Sequence, residues 1–286
     1  MKEMRLTYSI PRMCRFFKVS ASGYYKWLTR PPSRRTIEEG RLEAEIKAAH
    51  TRTRQTFGPE RLQRDLAAHG IRIGISRIRR IRKKLGIQCK QVKKFKATTD
   101  SRHSLPVAEN LLEQQFETET PNQVWVSDIT YVSTDEGWLY CAAHKDLFNR
   151  EIVGYALGSR ITMDLVKQSL IKAVIAKRPS KGLIHHSDRG CQYCAREYQK
   201  ALNRLGMKAS MSRRGNCYDN APMESFWSTL KNELVYHRHY RTREEAIKDI
   251  TEYIEVFYNR ERRQKRLGYL SPAAYGRVFY AERAAA

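Results

Sequence analysis

The chain has 286 residues and carries 54 Lys+Arg against 30 Asp+Glu, a formal net charge of +24. That length holds two domains, or one with appendages. No run reaches the roughly 18 apolar residues of a membrane span, and the start has no apolar signal-peptide stretch. Six scattered cysteines (Cys14, Cys89, Cys141, Cys191, Cys194 and Cys217) fit a reducing cytoplasm better than a disulfide framework. The charge is uneven: residues 1–100 hold 26 basic and 8 acidic residues, so +18 of the +24 lies in the first third. Such a block points to a polyanion partner.

In chain order, residues 8–28 predict two short helices around the turn Ser20-Ala-Ser22, and Pro31-Pro32 then breaks the chain. This pair serves either DNA contact or packing. Leu42, Ile46 and Ala49 mark a helix over 37–50. Leu62 and Leu66 mark a second, which Gly70 closes. After a short link, Ser76 is the expected cap of a third helix with Ile78, Ile81 and Leu85 on its buried stripe. Its other face carries Arg77, Arg79, Arg80, Arg82, Lys83 and Lys84. Two helices joined by a short turn, the second basic, resemble a helix-turn-helix. Six cations so close repel one another without a counter-charge, which favours DNA contact over a solvated face. Residues 88–120 read as a basic linker in which Lys90, Lys93, Lys94 and Lys96 track a DNA backbone.

From Pro121 the pattern changes. Val124, Val126 and Val132 alternate with Trp125, Ile129 and Tyr131, as in a central strand covered on both faces. Thr134-Asp-Glu-Gly137 turns the chain into a hairpin. A third strand (151–157), a helix capped by Thr162, a fourth strand ending near Ile184, a helix closed by Gly206 and a short fifth strand (209–212) follow. Pro222 opens a helix with Asp219 or Asn220 as its expected cap. Thr242-Arg-Glu-Glu245 reads as a capping box. The helix behind it leads to a second basic cluster, Arg260-Glu-Arg-Arg-Gln-Lys-Arg266, suited to DNA or to bridging protomers. His144-Lys145 is out of place in its strand. A lysine there predicts a locally exposed face, or a partner in Asp146.

Three carboxylates organise this second part. Asp128 lies inside the central strand, where a charge is costly unless a cation or strong donors compensate it. Asp188 follows the fourth strand, at the strand edge where open α/β sheets place their sites. Glu224 falls in the first turn of the Pro222 helix. From two strands and a helix they can converge on one cluster. Oxygen-only ligation suits Mg²⁺ or Mn²⁺, and two such ions can serve phosphoryl transfer.

The spacing D-(59)-D-(35)-E, with Lys231 seven residues after Glu224, resembles the catalytic core of retroviral integrases. It is most similar to the second-reading-frame transposase (OrfB) of the insertion-sequence-three family. The strings Trp125-Val-Ser-Asp-Ile-Thr-Tyr131, His186-Ser-Asp-Arg-Gly190, Tyr218-Asp-Asn-Ala-Pro-Met-Glu-Ser-Phe226, Tyr258-Asn-Arg and Leu267-Gly-Tyr-Leu-Ser-Pro272 carry the likeness, which spans nearly the whole chain. It implies an α/β fold, ribonuclease-H-like, preceded by a small all-α helix-turn-helix region. It implies that Asp128, Asp188 and Glu224 hold two Mg²⁺ ions, with Mn²⁺ as substitute, and that Lys231 contacts terminal DNA. The reaction implied is cleavage at the element's terminus, then direct strand transfer giving a circular intermediate.

The expected division is 1–35, an N-terminal helical segment; 36–87, the helix-turn-helix-like unit; 88–120, the linker; 121–238, the catalytic core; and 239–286, a C-terminal helical extension. Expected partners are double-stranded DNA (element terminal repeats and target), further copies of the chain, and the first-frame product (OrfA) as fusion or partner, since no heptad run is visible. The expected location is cytoplasmic, nucleoid-associated when DNA-bound. Two rivals are a non-catalytic DNA-binding regulator, which has no need of the triad, and a ribonuclease-H-type nuclease, which leaves the basic third unexplained. Cys191 and Cys194 near His185 and His186 lack a second cysteine pair and are not read as zinc ligands. His186 reads as a local packing residue sooner than a proton shuttle. No Arg/His constellation supports tyrosine-recombinase chemistry.

Overall fold

The computed structural model describes residues 1–90 and 106–285. Lys93, Lys94 and Lys96 of the expected DNA-tracking run lie outside the described residues. Two short helices open the chain, α1 (Ile10–Phe16) and α2 (Ala21–Thr29). Ser20 caps α2 by accepting from the Gly23 N–H at 3.0 Å. Three longer helices follow: α3 (Arg34–Arg52), α4 (Pro59–Ala68) and α5 (Ile75–Lys84). Ile46, Leu62, Leu66, Ile78 and Ile81 are buried where they meet. Pro59 opens α4, and Gly70 leaves it at φ +79°, a conformation that side-chain-bearing residues avoid. The start of α5 differs from expectation. Gly74 occupies the cap position, and Ser76 sits one residue inside the helix.

The second part is a five-stranded mixed sheet. Strands β1 (Val124–Thr134), β2 (Gly137–Asp146) and β3 (Ile152–Gly158) form an antiparallel meander. Helix α6 (Met163–Lys177), capped by the Thr162 hydroxyl, leads to β4 (Ile184–Ser187). The short α7 (Cys191–Cys194) and α8 (Arg196–Arg204) lead to β5 (Lys208–Met211). The spatial order is β3-β2-β1-β4-β5, with β4 parallel to β1 and to β5. Helix α9 (Ala221–Glu233), α10 (Arg243–Glu252) and α11 (Pro272–Ala285) complete the chain.

β1 is the middle strand, and its two side-chain sets divide as their alternation predicts. Val124, Val126 and Val132 join Met223, Phe226, Trp227 and Leu230 of α9 in one core. Trp125 joins Leu170 of α6 and Tyr198 and Leu202 of α8 in the other. The α6 side permits no extra atom at Gly154. A Cβ there would lie 2.5 Å from the Ala173 nitrogen and 2.6 Å from the Ser169 oxygen. Gly154→Ala is therefore expected to cost at least about 1–3 kcal/mol by overpacking. Denaturant midpoints check this, and a loss below about 0.5 kcal/mol would contradict so tight a contact.

The structure corrects three readings. Lys145 is neither on an exposed face nor paired with Asp146. It is 4% exposed, and its ammonium donates to the Pro222 carbonyl at 2.9 Å. Asp146 accepts instead from the backbone N–H groups of Asn122 and Phe148. The reason is register: Lys145 pairs with Val126 and so points to the α9 face, where a carbonyl in the first turn receives it. Secondly, residues 106–120 are no loose tether. Glu109 accepts from the Met211 N–H, and Ser210 from the Leu111 N–H, along β5. Thirdly, the helix after Thr242 widens to a π-helix over Tyr253–Glu261, an uncommon form. Five of its nine residues are buried. Asn259 there grips β3 by both bonds of Ile152, N–H to Oδ1 and Nδ2 to carbonyl, each 3.0 Å.

This extension also meets the helical unit. Phe57 packs on Phe257 at 6.3 Å between centroids, Arg54 covers the Phe257 ring at 4.9 Å, and Tyr269 donates to Glu60 at 2.6 Å.

Candidate active site

The sheet register sets two of the three carboxylates side by side. Ser127 pairs with Ser187 at the end of the parallel β1–β4 ladder, so Asp128 and the first residue after β4, Asp188, follow directly from a matched pair. Asp128 is half-buried. Its Oδ1 accepts from the Ile129 N–H at 2.8 Å and its Oδ2 from the Trp227 indole N–H at 3.1 Å. Asp188 Oδ1 accepts from the Gly190 N–H at 2.9 Å in the turn after β4. Glu224 is half-buried in the first turn of α9, behind Pro222.

Charge ties the three together. Burial and then the Asp188 charge, with a smaller push from Glu224, hold the Asp128 carboxyl well above the usual carboxylate range, against the opposing pull of its Ile129 and Trp227 bonds. Burial also raises Glu224. They are not, however, a closed cage. Among the described residues no three His, Cys, Asp or Glu side chains stand together as a ready-made metal site. The register fixes the two aspartates, whereas Glu224 depends on how α9 lies on the sheet.

Neither expected cap closes α9. Asn220 holds the cap position without a cap bond, and its Nδ2 donates to the Ser127 carbonyl at 3.1 Å. Asp219 accepts from the Arg213 guanidinium (3.0 and 2.8 Å), Asn110 and Gln114, and the Arg213 bond holds its carboxyl far below the usual range. The helix that carries Glu224 is thus pinned at its first turn from β1 by Asn220 and from β2 by Lys145. Trp227 was legible only as a core residue. Its indole N–H reaches Asp128, and an aromatic with a polar edge three residues after Glu224 was the available signal.

Lys231 shares the Glu224 stripe but is 8% exposed, with its ammonium 5.0 Å from the Tyr131 ring centroid. Burial lowers its pKa, and the Asp128 charge opposes that. The basic face of α5 also differs from expectation, because α3 supplies the missing counter-charge. Arg77 pairs with Glu38 at 3.2 Å, Arg80 with Glu39 at 3.1 Å, and Lys84 with Glu43. Arg82 turns inward, 9% exposed, with a guanidinium nitrogen 3.3 Å from the Cys89 thiol. Arg79 and Lys83 remain on the surface. Exposed pairs of this kind are weak, so a phosphate can displace the glutamates.

Behind the aspartates the sheet carries buried neutral histidines. His186 lies between the hydroxyls of Ser210 (2.9 Å) and Ser212 (3.2 Å). His185 contacts Ser127 Oγ at 3.2 Å and the Tyr198 hydroxyl at 3.0 Å, and His144 meets the same hydroxyl at 3.3 Å. Burial holds His185 down to about 3 and His144 well below its ordinary value. The unfolded chain takes up these protons first. Stability is fully present above about pH 6.5 and is lost as pH falls toward 3, by up to about 1.4 kcal/mol per pH unit for each histidine. Thermal melts at pH 7 and pH 5 should show the drop, and His185→Gln should flatten it; equal slopes in the two proteins would refute the assignment. Cys194 is buried with its thiol 3.8 Å from the Arg189 carbonyl, and Cys191 is exposed.

Comparison with known proteins agrees with this architecture. Residues 37–95 match an HTH-like domain, and residues 118–217 and 224–277 match integrase core domains. An uncharacterized 31 kDa protein of insertion element IS600 from Shigella sonnei is 56% identical over 268 residues, 94% of this chain and 98% of that protein. Transposase InsF of insertion sequence IS3A from Escherichia coli K12 is 39% identical over 270 residues, 94% of each chain. Among solved structures, a chain of a simian T-cell lymphotropic virus intasome in complex with a PP2A regulatory subunit aligns at TM-score 0.48 and 16% identity, over 81% of this chain and 74% of that one. The HTLV-2 integrase catalytic core in complex with magnesium aligns at 0.42 and 14%, over 54% and 95%. Those two likenesses are too low to add to the assignment. The full-length match to InsF, together with the HTH-like and integrase core units in the same order, makes this chain a member of the IS3 family of DNA transposases, enzymes of the polynucleotidyl transferase class.

Proposed function

We propose that Asp128, Asp188 and Glu224 are the catalytic carboxylates and hold two divalent cations, Mg²⁺ with Mn²⁺ as substitute. The observation that supports this is the Ser127–Ser187 pairing, from which Asp128 and Asp188 follow directly, with Glu224 in the first turn of a helix pinned from two strands. The residues fit such ions. All three offer oxygen only, and each oxygen of Asp128 accepts a single bond, which leaves acceptor capacity on both. Burial lifts Asp128 first and the Asp188 charge second, and a cation relieves both. When bound, the ions supply Lewis acidity to the attacking and leaving oxygens of an in-line displacement. The chain's own part is orientation. Trp227 and the Ile129 N–H fix the Asp128 carboxylate, and the Gly190 N–H fixes Asp188. Water attacks the phosphodiester at the element's terminus and breaks its P–O3′ bond to free the 3′-hydroxyl, and that hydroxyl attacks a second phosphodiester and displaces its 3′-oxygen.

Double-stranded DNA, the terminal repeats and the target, is the proposed partner. Arg77, Arg79, Arg80, Lys83 and Lys84 of α5 meet its backbone, and Lys231 meets it beside the carboxylates. Arg82, turned inward, is left out of that set. Joining two ends requires at least a dimer on DNA. OrfA is the proposed fusion or partner, and the bacterial cytoplasm the proposed location. No helix among the described residues is long and apolar enough to cross a membrane. The division at 36–87, 121–238 and 239–286 is proposed with it.

The test is a joining assay with a labelled duplex bearing the element's own terminus and Mg²⁺ or Mn²⁺. Joined strands are expected. Cleavage of an RNA–DNA hybrid without joining would replace this reading with a nuclease, and binding without product, both alone and fused to the first-frame product, would replace it with a regulator. Duplex affinity should fall with salt at a log–log slope of about −0.9 per phosphate neutralised, and a flat response would remove the α5 assignment.

A further inference from the structure

On the flank of α9 that carries Ser225 and Thr229, away from the stripe of Glu224, Ser228 and Lys231, lies a pocket of about 260 Å³. Three parts of the chain that are far apart in sequence build it. Arg61 comes from α4, Lys145 from β2, and Gln264, Lys265 and Arg266 from the short 3₁₀ turn after the π-helix. It is below the roughly 300–1,000 Å³ of pockets for small organic ligands. Arg262 on its wall is satisfied by Glu233 at 2.7 Å. Among the described residues Arg61, Lys145, Lys265 and Arg266 have no carboxylate within ion-pair distance.

Two buried donors face this space with capacity to spare. The Lys145 ammonium has three N–H bonds, and the structure gives it one acceptor, the Pro222 carbonyl. Gln264 Nε2 is shut off from solvent; the Tyr258 hydroxyl can accept from one of its two N–H bonds, which leaves the other without an acceptor. Unsatisfied buried donors are costly and point to a missing acceptor. The cations also press on one another. Burial and then the charges of Arg150, Arg262 and Arg266 hold Lys145 well below its ordinary value, and burial followed by Arg262 lowers Arg61. A bound anion relieves both.

We infer that this pocket binds a phosphate group, presented as a phosphodiester of the DNA backbone, and so clamps DNA between the helix-turn-helix-like unit and the back of the helix bearing Glu224. The pocket itself requires only phosphate chemistry. Its assignment to DNA rests on the transposase reading.

The experiment uses the full chain and the exposed-site double variant Lys265→Ala with Arg266→Ala. Thermal melts are run with inorganic phosphate or pyrophosphate against chloride at matched ionic strength, and the salt slope of duplex binding is measured in parallel. Wild type should gain melting temperature with phosphate, and the variant should lose most of that gain. The variant's log–log slope should be shallower by about 0.9 for each DNA phosphate it no longer neutralises. A change in the slope, with or without the phosphate response, assigns the site to the DNA backbone. Loss of the phosphate response alone keeps the pocket but makes free phosphate its ligand. An unchanged slope with no stabilisation by phosphate in wild type overturns the inference. Neither readout requires strand joining, so failure of the catalytic reading would show separately.

Discussion

Asp128→Asn is expected to lower strand transfer by on the order of 10⁴–10⁶-fold, the scale seen when one member of a cooperating catalytic set is removed. DNA affinity should stay within about twofold, because the basic surface of α5 is untouched. Asp188→Asn and Glu224→Gln should behave alike, and combining two of them should add little. The same substitution has a second, opposite consequence. Asp128 is held above the usual carboxylate range by burial and by Asp188. A carboxyl with a raised folded-state pKa weakens the fold as pH climbs past its unfolded value near 4, because the charged form is disfavoured in place. Replacing it with a neutral amide in metal-free buffer at pH 7 should therefore leave the melting temperature unchanged or higher. Retained strand transfer in Asp128→Asn would sink the assignment. A large drop in melting temperature would mean that the residue serves the fold instead.

The second large effect concerns stability. Arg262 and Glu233 form a two-bond pair at 2.8 and 2.7 Å, each side chain about 10% exposed, and Tyr253 donates to the same carboxylate at 2.7 Å. Burial alone would lower the Arg262 pKa, and the Glu233 charge more than reverses it. The pair locks the last turn of α9 to the end of the π-helix. Arg262→Met leaves a buried carboxylate without its cation, which costs about 3–5 kcal/mol. For a chain of this size that is a drop of roughly 6–20 °C in melting temperature. Adding Glu233→Leu should restore much of the loss, since an apolar pair of similar volume is often no worse than a buried ion pair. A single-variant cost under about 1 kcal/mol would show that water reaches the pair.

The central strand, the hairpin at Thr134–Gly137, the Thr162 cap and the Gly70 stop were all readable, because each depends on alternation or on one residue's backbone preference. The three carboxylates were singled out by their spacing and flanking strings, and their role stands as a proposal. Lys145 was misread for a plain reason. Its solvation is settled by Pro222, 77 residues away, and no neighbour in sequence announces that carbonyl. Five of the six cations of α5 lie on a basic face as read, while Arg82 turns inward; their partners were not legible, since Glu38, Glu39 and Glu43 lie about forty residues back on another helix. The π-helix was hidden because Ile247, Ile250, Ile254 and Phe257 fit an ordinary helical stripe equally well.

Local order in this protein, and the proposal of Asp128, Asp188 and Glu224 as an acidic triad, follow from the sequence by itself. Periodicity, caps and glycine turns act over a few residues, and a carboxylate inside a strand carries its chemistry wherever the strand goes. Tertiary structure alone decided that Asp128 and Asp188 are neighbours, because a one-residue slip between β1 and β4 would turn one of them to the opposite face. It alone decided that Trp227 orients Asp128 across 99 residues, and that Arg61, Lys145 and Arg266 line one pocket. Those outcomes depend on how the helices settle on the sheet, and the energies that choose among the alternatives come from burial and ion pairing between segments far apart in the chain.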